Sequence, residues 1–373
     1  MTDVLIIGGG VIGLSIAREL HKKGIKKITI LERGELGKEA SFAAAGMLAP
    51  NAETEKSDEF FHFCNESNRL YPNFAEAIFE ETGVDIELDK QGTLYLALTE
   101  NDSAEILKRF KWQKKAGLAV EHLSARETTQ IEPFISPDVR ESLFFPNDWQ
   151  VENRRLLYAL QKYAELNNIE IRENTEIKNL LIENGKLIGA ETDTEKFFAE
   201  TTVIATGAWT SLIKTSGFSM PKVMPVRGQM ISFQTAKRLF EKVIYSPRGY
   251  LVPRRDGRIL IGATVEDVGF DKSVTELGVE FLRENALEIV PSLLNLEVSE
   301  KWAGLRPFAF DGLPILGSFP QVENLFLATA HYRNGILLAP LTAKIIADKI
   351  AANLDSDYLD FFSPLRFETV GAV

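Results

Sequence analysis

The first thirty-two residues constrain the fold of this chain more than any other stretch. An apolar run at residues 3–7 leads into GGGVIG at 8–13, an amphipathic stretch follows at 11–23, and a second apolar run at 28–31 ends at Glu32. This is a G-x-G-x-x-G fingerprint between a strand and a helix, with an acidic residue 19 positions after the last glycine. The pattern predicts a Rossmann-like strand–loop–helix–strand unit.

Each residue of the fingerprint has a physical role in holding a dinucleotide. Gly8 permits a tight turn, Gly10 lets the backbone approach a pyrophosphate, and Gly13 lets the helix pack on the strand. The free N–H groups and the positive dipole end of the helix then face the phosphates. Glu32 is placed to accept hydrogen bonds from both ribose hydroxyls, and it would repel a 2′-phosphate. The unit therefore predicts an unphosphorylated adenine dinucleotide, either FAD or NAD.

Length and charge narrow the class of protein. A chain of 373 residues exceeds the usual limit of a single core, so we expect two domains. The net charge of −11 argues against nucleic acid and anionic membranes as partners, because both require a basic footprint. A core strand that begins at residue 3 leaves no room for a secretory signal, and no apolar run is long enough to span a bilayer. We expect a cytoplasmic enzyme.

Neither disulfides nor a metal site are expected. Cys64 is the only cysteine, and its expected role is that of a small buried hydrophobic residue. The histidines show no ligand spacing; they are His21, His62, His122 and His331.

The remaining pattern predicts a mixed α/β fold. Helices are predicted at 59–82, 100–116, 154–167, 274–289 and 341–353. Strand-like runs with turn signals between them predict an antiparallel sheet; they lie at 92–98, 222–233, 249–252 and 259–262. Two late apolar runs, at 202–209 and 324–329, predict strands that return to the dinucleotide unit.

We therefore predict two interwoven domains. A Rossmann-like domain that binds the dinucleotide would comprise 1–86, 146–222 and 300–373. A substrate domain with a predominantly antiparallel sheet would comprise 87–145 and 223–299.

Two runs of small residues bear on the choice between FAD and NAD. Residues 37–48 let backbone pass close to a large flat ligand, and the turn at 205–207 suits a second approach. Either run alone is explained equally well by tight packing of helix on sheet. Taken together with the fingerprint, they favour FAD.

Seven further motifs are spread along the chain. They are ASFAAAGMLAP at 40–50, PVRGQ at 225–229, YLVPR at 250–254, GRILIGAT at 257–264, WAGLRP at 302–307, DGLPILG at 311–317 and HYRNGILLAP at 331–340. With the fingerprint, this set resembles the D-amino acid oxidase superfamily of flavoenzymes, and within it the glycine oxidases of thiamine biosynthesis. The likeness to glycine oxidases depends mainly on the first, fifth and seventh motifs.

The resemblance implies an FAD-dependent amino acid oxidase with a two-domain amine oxidase fold. A neutral substrate amine would lose its Cα hydrogen as hydride to flavin N5, and O2 would reoxidise the flavin to give H2O2. The imine would hydrolyse to a 2-oxo acid (glyoxylate from glycine) and ammonia, or pass to a thiazole synthase. Such a site must grip the carboxylate, aim the Cα–H bond and exclude water. It needs no Glu or His base, and the sequence offers no clear candidate.

Four residues are predicted to bind substrate. By resemblance, Arg306 holds the carboxylate through its planar guanidinium, although it could instead pair an acid near the flavin. Tyr250 is implied as a second carboxylate partner, with simple packing as the alternative, and Arg333 lies near flavin and substrate unless it is merely solvated. Arg248 and Val265 differ from the glycine oxidase pattern, and a more basic, roomier pocket would admit bulkier or acidic amino acids.

The residues predicted to contact FAD lie in the fingerprint, the small-residue runs and the start of the last helix. That helix N-terminus would stabilise negative charge on the N1–C2=O locus of the reduced flavin. They are Gly8, Gly10, Val11, Ile12, Gly13, Glu32, Arg33, Ser41, Ala43, Ala44, Gly46, Met47, Leu48, Ile177, Ala205, Thr206, Gly207, Arg333, Asn334, Gly335, Ile336 and Leu337. Sarcosine oxidases of the superfamily attach flavin through a cysteine in the region 304–317, which this chain lacks, so FAD is predicted to be non-covalent.

Three alternatives stay open at this level. One is a dehydrogenase of D-amino acids or proline that passes electrons to an acceptor other than oxygen. The others are a non-catalytic flavoprotein and a true NAD dehydrogenase. The sequence also leaves open a homo-oligomer.

Overall fold

The computed structural model describes residues 2–215 and 217–370, and two large β-sheets organise this part of the chain. The strands are β1 Thr2–Ile7, β2 Ile28–Leu31, β3 Met47–Leu48, β4 Thr93–Ala97, β5 Glu121–Ser124, β6 Glu141–Phe145, β7 Trp149–Gln150, β8 Glu170–Arg172, β9 Asn179–Glu183, β10 Lys186–Glu191, β11 Lys196–Ile204, β12 Val223–Gln234, β13 Val243–Ser246, β14 Gly249–Pro253, β15 Arg258–Gly262, β16 Val298–Ala309, β17 Ile315–Ser318 and β18 Leu325–Thr329.

Helices surround the sheets. The α-helices are α1 Val11–Lys22, α2 Ala40–Ala43, α3 Pro50–Glu53, α4 Glu59–Thr82, α5 Glu100–Lys115, α6 Ala125–Ile131, α7 Asn153–Leu166, α8 Glu276–Ile289, α9 Gly335–Ala352 and α10 Asp357–Phe361. Short 3-10 helices cover Gly207–Leu212, Pro291–Asn295 and Pro364–Val370. In the described part of the chain, no helix combines the length and the apolar character that crossing a membrane requires.

The first sheet has the parallel centre that the N-terminal pattern predicts. Its strand order is β17-β18-β11-β1-β2-β8, with β10 and β9 attached beside β11. Strand β1 pairs in parallel with β2 and β11, and β11 pairs in parallel with β18. Val4 and Ile6 pack into one core, whereas Leu5 and Ile7 pack into another. Both faces of this sheet are therefore buried, which explains why its central strands read as continuous apolar runs.

The second sheet is predominantly antiparallel, as predicted. Its order is β16-β12-β15-β14-β13-β4-β6-β5, and the β13–β4 pair is parallel. The long ladder between β12 and β16 runs from Val223 opposite Ala309 to Phe233 opposite Val298. One face packs against α8, where Phe233 and Leu282 share a core. The same sheet carries Arg306 and Tyr250.

Two predicted boundaries differ from the structure. The run at 202–209 was expected to be strand throughout, but β11 ends at Ile204 and a 3-10 helix begins at Gly207. The predicted boundary at residue 300 assigns most of β16 to the dinucleotide-binding domain, whereas β16 pairs with β12 in the second sheet. We propose a division into two domains that follows the sheets, with the boundary moved to the end of β16.

Helix α4 holds the start of α9. Pro340 lies inside α9 and has no N–H, so the carbonyl of Ile336 lacks its usual helical donor. The Tyr71 hydroxyl of α4 donates to that carbonyl instead. Ser67 donates to the carbonyl of Leu337 at 2.6 Å. The first turn of α9 is therefore fixed by side chains of another helix.

Candidate active site

A long cavity of about 330 Å³ lies at the carboxyl ends of β1, β2 and β11, and we call it the dinucleotide cleft. Two helix N-termini line it, those of α1 and α9. Their N-caps are Gly10, which has no side chain, and Asn334, whose side chain does not cap its helix. The Ser41 hydroxyl accepts a hydrogen bond from the Val11 N–H at 3.1 Å, and the Gly10 side of α1 is otherwise without a side-chain cap. Uncapped N–H groups at a helix start favour anionic ligand groups. The cleft thus presents two separate anion-stabilising points, which fits FAD with its pyrophosphate and its reducible ring.

Most residues predicted to contact FAD line this cleft. They are Gly8, Gly10, Val11, Ile12, Glu32, Arg33, Ser41, Ala44, Ile177, Ala205, Thr206, Gly207, Arg333, Gly335 and Ile336. Ala43, Gly46, Met47 and Asn334 line an adjoining cavity instead. Three predicted residues line neither cavity. Leu48 and Leu337 are fully buried in the core, and Gly13 packs against the backbone of Gly8 in the glycine-rich loop.

The glycines of the fingerprint are required by close backbone contacts. Gly8 has φ +112°, and a Cβ built there would lie 2.4 Å from the carbonyl oxygen of Ala205. A Cβ on Gly13 would lie 2.0 Å from the carbonyl oxygen of Gly8. A side chain at either position would push α1 or β11 away from the loop.

Glu32 is held at the end of β2 with its carboxylate at the cleft. One oxygen accepts a hydrogen bond from the Gly9 N–H at 2.8 Å, and the other accepts from the Gly34 N–H at 3.1 Å. These two bonds fix the carboxylate in the position from which the sequence predicts a contact with ribose.

A second cavity of about 80 Å³, which we call the inner cavity, lies between α2, α3, the start of α9 and the second sheet. Arg306, Tyr250 and Arg333 line it, so the structure brings together three of the four predicted substrate residues. Arg306 donates to the carbonyl of Thr264 at 3.0 Å. Burial raises the pKa of Tyr250, with Arg306 opposing that effect, so its hydroxyl stays a donor at neutral pH.

Glycines on neighbouring strands make room for these side chains. A Cβ on Gly228 would lie 2.3 Å from a guanidinium nitrogen of Arg306. A Cβ on Gly262 would lie 2.4 Å from the hydroxyl oxygen of Tyr250. Both glycines belong to the motifs that carried the sequence resemblance, so part of each motif serves to leave space.

Glu53, at the end of α3, is a site residue that sequence reasoning missed. It lines the inner cavity and also a third cavity of about 180 Å³, which we call the back cavity. Burial raises the pKa of Glu53, while the positive charges of Arg333 and Arg306 oppose that effect. The only signal in the sequence was an acidic residue a few positions after the small-residue run at 37–48. Nothing in the sequence showed whether its side chain would face a cavity or solvent.

Asp148 fixes the short helix that carries Glu53. Its carboxylate accepts hydrogen bonds from the N–H groups of Ala52 at 2.7 Å and Asn51 at 3.1 Å, and from the Asn51 side-chain amide at 2.6 Å. Burial raises the pKa of Asp148 to about 7. The position of Glu53 thus depends on a residue almost a hundred positions away.

Arg254 clamps the small-residue run from the other side. Its buried guanidinium donates to the carbonyls of Val151 at 2.7 Å and Ala45 at 2.8 Å, and to the side chain of Asn153 at 3.1 Å. Burial lowers the pKa of Arg254 to about 10, so it is still a cation at neutral pH. This arginine is the last residue of the YLVPR motif at 250–254, and the motif alone did not indicate its role.

Arg248 is placed away from these cavities, contrary to the prediction that it binds substrate. Its guanidinium pairs with Asp102 of α5 at 3.1 Å and with Glu288 of α8 at 2.7 Å. Val265 is 54% exposed and lines none of the three cavities. Arg248 lies outside the cavities because the fold places two acidic side chains beside it. The expectation of a more basic and roomier pocket is therefore not supported.

His331 lines the dinucleotide cleft as a neutral side chain. It is buried, its Nε2 lies 3.1 Å from the hydroxyl of Thr342, and burial lowers its pKa to about 3. Within residues 2–215 and 217–370, no group of three or more His, Cys, Asp or Glu side chains is arranged to hold a metal ion.

Comparison with known proteins places the chain among flavoenzymes. The family described as FAD dependent oxidoreductase matches residues 3–349. A glycine oxidase of Pseudomonas aeruginosa is 34% identical over 347 residues, which cover 92% of this chain and 93% of that protein. A bifunctional protein ThiO/ThiG of Trichormus variabilis is 37% identical over 371 residues, which cover 98% of this chain but 55% of that protein.

The solved structures agree with the sequence comparisons. The crystal structure of glycine oxidase from Geobacillus kaustophilus superposes with a TM-score of 0.92 at 35% identity. The match covers 97% of this chain and 98% of that one.

Proposed function

The chain belongs to the family of FAD dependent oxidoreductases, and on that premise we propose that it is an FAD-dependent oxidase of glycine. The observation that carries the proposal is the placement of Arg306 and Tyr250 in the inner cavity, beside the start of α9. The relatives that match at 34% and 35% identity over nearly their whole length are named glycine oxidases. The overall reaction is oxidative deamination of glycine with O2 as acceptor, which gives glyoxylate, ammonia and H2O2.

The substrate is a small amino acid held by its carboxylate. The guanidinium of Arg306 donates to the two carboxylate oxygens, and the protonated Tyr250 hydroxyl supplies a further donor. Residues of the dinucleotide cleft, among them Gly8, Gly10 and Glu32, would hold FAD, which would supply an acceptor for the substrate hydride and a route for the electrons to O2. The second sheet covers one side of the inner cavity, where Gly228, Met230 and Gly304 line it beside Arg306 and Tyr250. The uncapped start of α9 stabilises negative charge at its end of the cleft.

The finer features of the proposal have separate support. Glycine oxidase rather than a dehydrogenase of D-amino acids or proline is favoured by the names of the relatives above 30% identity. Delivery of the imine to thiazole formation is favoured by the relative in which a chain of this kind is joined to ThiG. FAD is proposed to be non-covalent, and the cytoplasm is the proposed location, since one cysteine and no disulfide suit a reducing compartment.

The test is an anaerobic titration of the purified protein with glycine, followed by admission of oxygen. Bleaching of the oxidised flavin bands, then stoichiometric H2O2 and glyoxylate, is the expected result. A flavin that D-proline reduces and glycine does not would overturn the assignment of substrate. A flavin that glycine reduces but oxygen does not reoxidise would identify a dehydrogenase.

A further inference from the structure

The inner cavity contains three charged side chains that do not pair with one another. Arg306, Arg333 and Glu53 all line it. Within the described residues, no ion pair of 4.0 Å or less joins Glu53 to either arginine. The Glu53 carboxylate also has no hydrogen-bond partner among those residues, although it lies on a well-fixed helix.

Unpaired charges in a protected cavity are costly unless a ligand compensates them. Two separated cations and one anion match a ligand that carries both signs of charge. An α-amino acid in its zwitterionic form has a carboxylate for the guanidinium groups and an ammonium group for a carboxylate. The arrangement therefore suits the proposed substrate better than it suits a simple carboxylic acid.

On the basis of the proposed function, we propose that Glu53 binds the ammonium group of the substrate and accepts one proton from it. One N–H bond of the substrate breaks and one O–H bond forms on the Glu53 carboxylate. The electron pair stays on the substrate nitrogen, so no oxidant or reductant takes part in this step. The neutral amine that results is the form from which hydride can leave Cα.

The surroundings of Glu53 support this role. The back cavity meets the inner cavity at Glu53, which gives the accepted proton a second side from which to leave. Burial raises the pKa of Glu53, so its carboxylate accepts a proton more readily than an exposed one would. Asp148 holds the helix in place through backbone N–H groups, which keeps the carboxylate at the wall between the two cavities.

The test compares Glu53→Gln with the wild-type holoenzyme, since the amide keeps the size and removes the charge. We expect kcat/KM for glycine to fall tenfold to a thousandfold at pH 7, and the deficit to shrink as pH rises and glycine itself loses its proton. The Kd of acetate, which has no ammonium group, should change less than threefold when followed by the flavin spectrum. Glu55→Gln, on the exposed surface two residues away, is the matched control and should behave as wild type.

Each other outcome is decisive. An unchanged kcat/KM and pH profile in Glu53→Gln would overturn the proposal, and so would an equal loss of affinity for glycine and acetate, which indicates general damage. If Glu53→Gln fails to retain FAD, Glu53→Ala replaces it, and a wild-type pH profile with Ala would again overturn the role. A wild-type flavin that glycine cannot reduce would refute the proposed function itself, a result visible before any variant is made.

Discussion

The dinucleotide cleft and the inner cavity adjoin, yet they are built in different ways. The cleft is formed by backbone: glycines, strand ends and two helix starts, most of them within short stretches of sequence. The inner cavity is lined by small residues of α2 and the segment after it, and by charged and aromatic side chains from α3, β14, β16 and the residues just before α9. Cofactor binding therefore depends on close approach of the main chain, and substrate binding depends on a few side chains brought together by the fold.

Replacing Arg306 should weaken substrate binding while FAD binding is retained, and we expect this to be the largest of the effects. Arg306→Ala is expected to retain FAD and its yellow colour but to lose about 2–5 kcal/mol of substrate binding, which is roughly a 30-fold to several thousandfold fall in kcat/KM. Steady-state kinetics with glycine measure the loss. The matched control is Arg248→Ala, which should leave kcat/KM within about twofold because its partners lie outside the cavities. Equal losses in both variants would refute the assignment of Arg306.

A side chain on Gly13 should damage the cleft alone. Gly13→Ala places a Cβ 2.0 Å from a backbone oxygen of the loop, and overpacking of this kind costs about 1–3 kcal/mol. We expect purified protein with at least tenfold weaker FAD binding, measured by fluorescence titration of the apoprotein. Gly34→Ala is the control, since nothing lies within 4 Å of its Cβ. Normal flavin content in Gly13→Ala would show that the loop tolerates displacement.

Tyr71→Phe tests whether α4 stabilises the start of α9, which lines both cavities. It leaves the Ile336 carbonyl without a donor, because Pro340 cannot provide one. An unsatisfied buried carbonyl should lower the free energy of unfolding by about 1–3 kcal/mol, measured by urea denaturation. The exposed Tyr158→Phe should change it by less than about 0.5 kcal/mol. Similar stabilities for the two variants would mean that α9 does not depend on α4.

Asp148 predicts an effect of pH on stability. Its folded pKa of about 7 lies above the ordinary value of 3.8, so the folded state binds the proton more tightly than the unfolded chain does. The contribution to stability is present at low pH and is lost as pH rises from about 4 to about 7, by at most ~1.4 kcal/mol per pH unit. Asp148→Asn should remove that slope in denaturation curves recorded between pH 5 and pH 8. An identical slope in the variant would contradict the assignment.

The fold was predictable wherever the pattern was local. The parallel centre of the first sheet follows from continuous apolar runs. The helix predicted at 59–82 is confirmed as α4, and in the structure Asp58 caps its start and Gly83, at φ +71°, ends it. Local pattern could not predict to which of the two sheets β16 belongs. Its sheet is decided by pairing with β12, some seventy residues earlier, and no local signal records that choice.

The inner cavity was predictable only in part. Arg306 and Tyr250 were found through motifs that resemble a known family, since an arginine on a strand carries no signal of what it will face. Glu53 was missed because its helix has four residues and is fixed by the distant Asp148. The role predicted for Arg248 is not supported because Asp102 and Glu288, far away in the sequence, become its partners only after folding.

The order in which the chain visits its two sheets limits how such a protein can be recombined. It leaves the first sheet after β2, returns after β6, leaves again after β11 and returns after β16. The second sheet is therefore not built from a single contiguous segment, and it cannot be excised or exchanged by one crossover. A library that aims to graft the specificity of a related enzyme onto this cofactor domain needs matched junctions at every passage between the sheets. Point substitution in the cavity wall is the shorter route to new substrates.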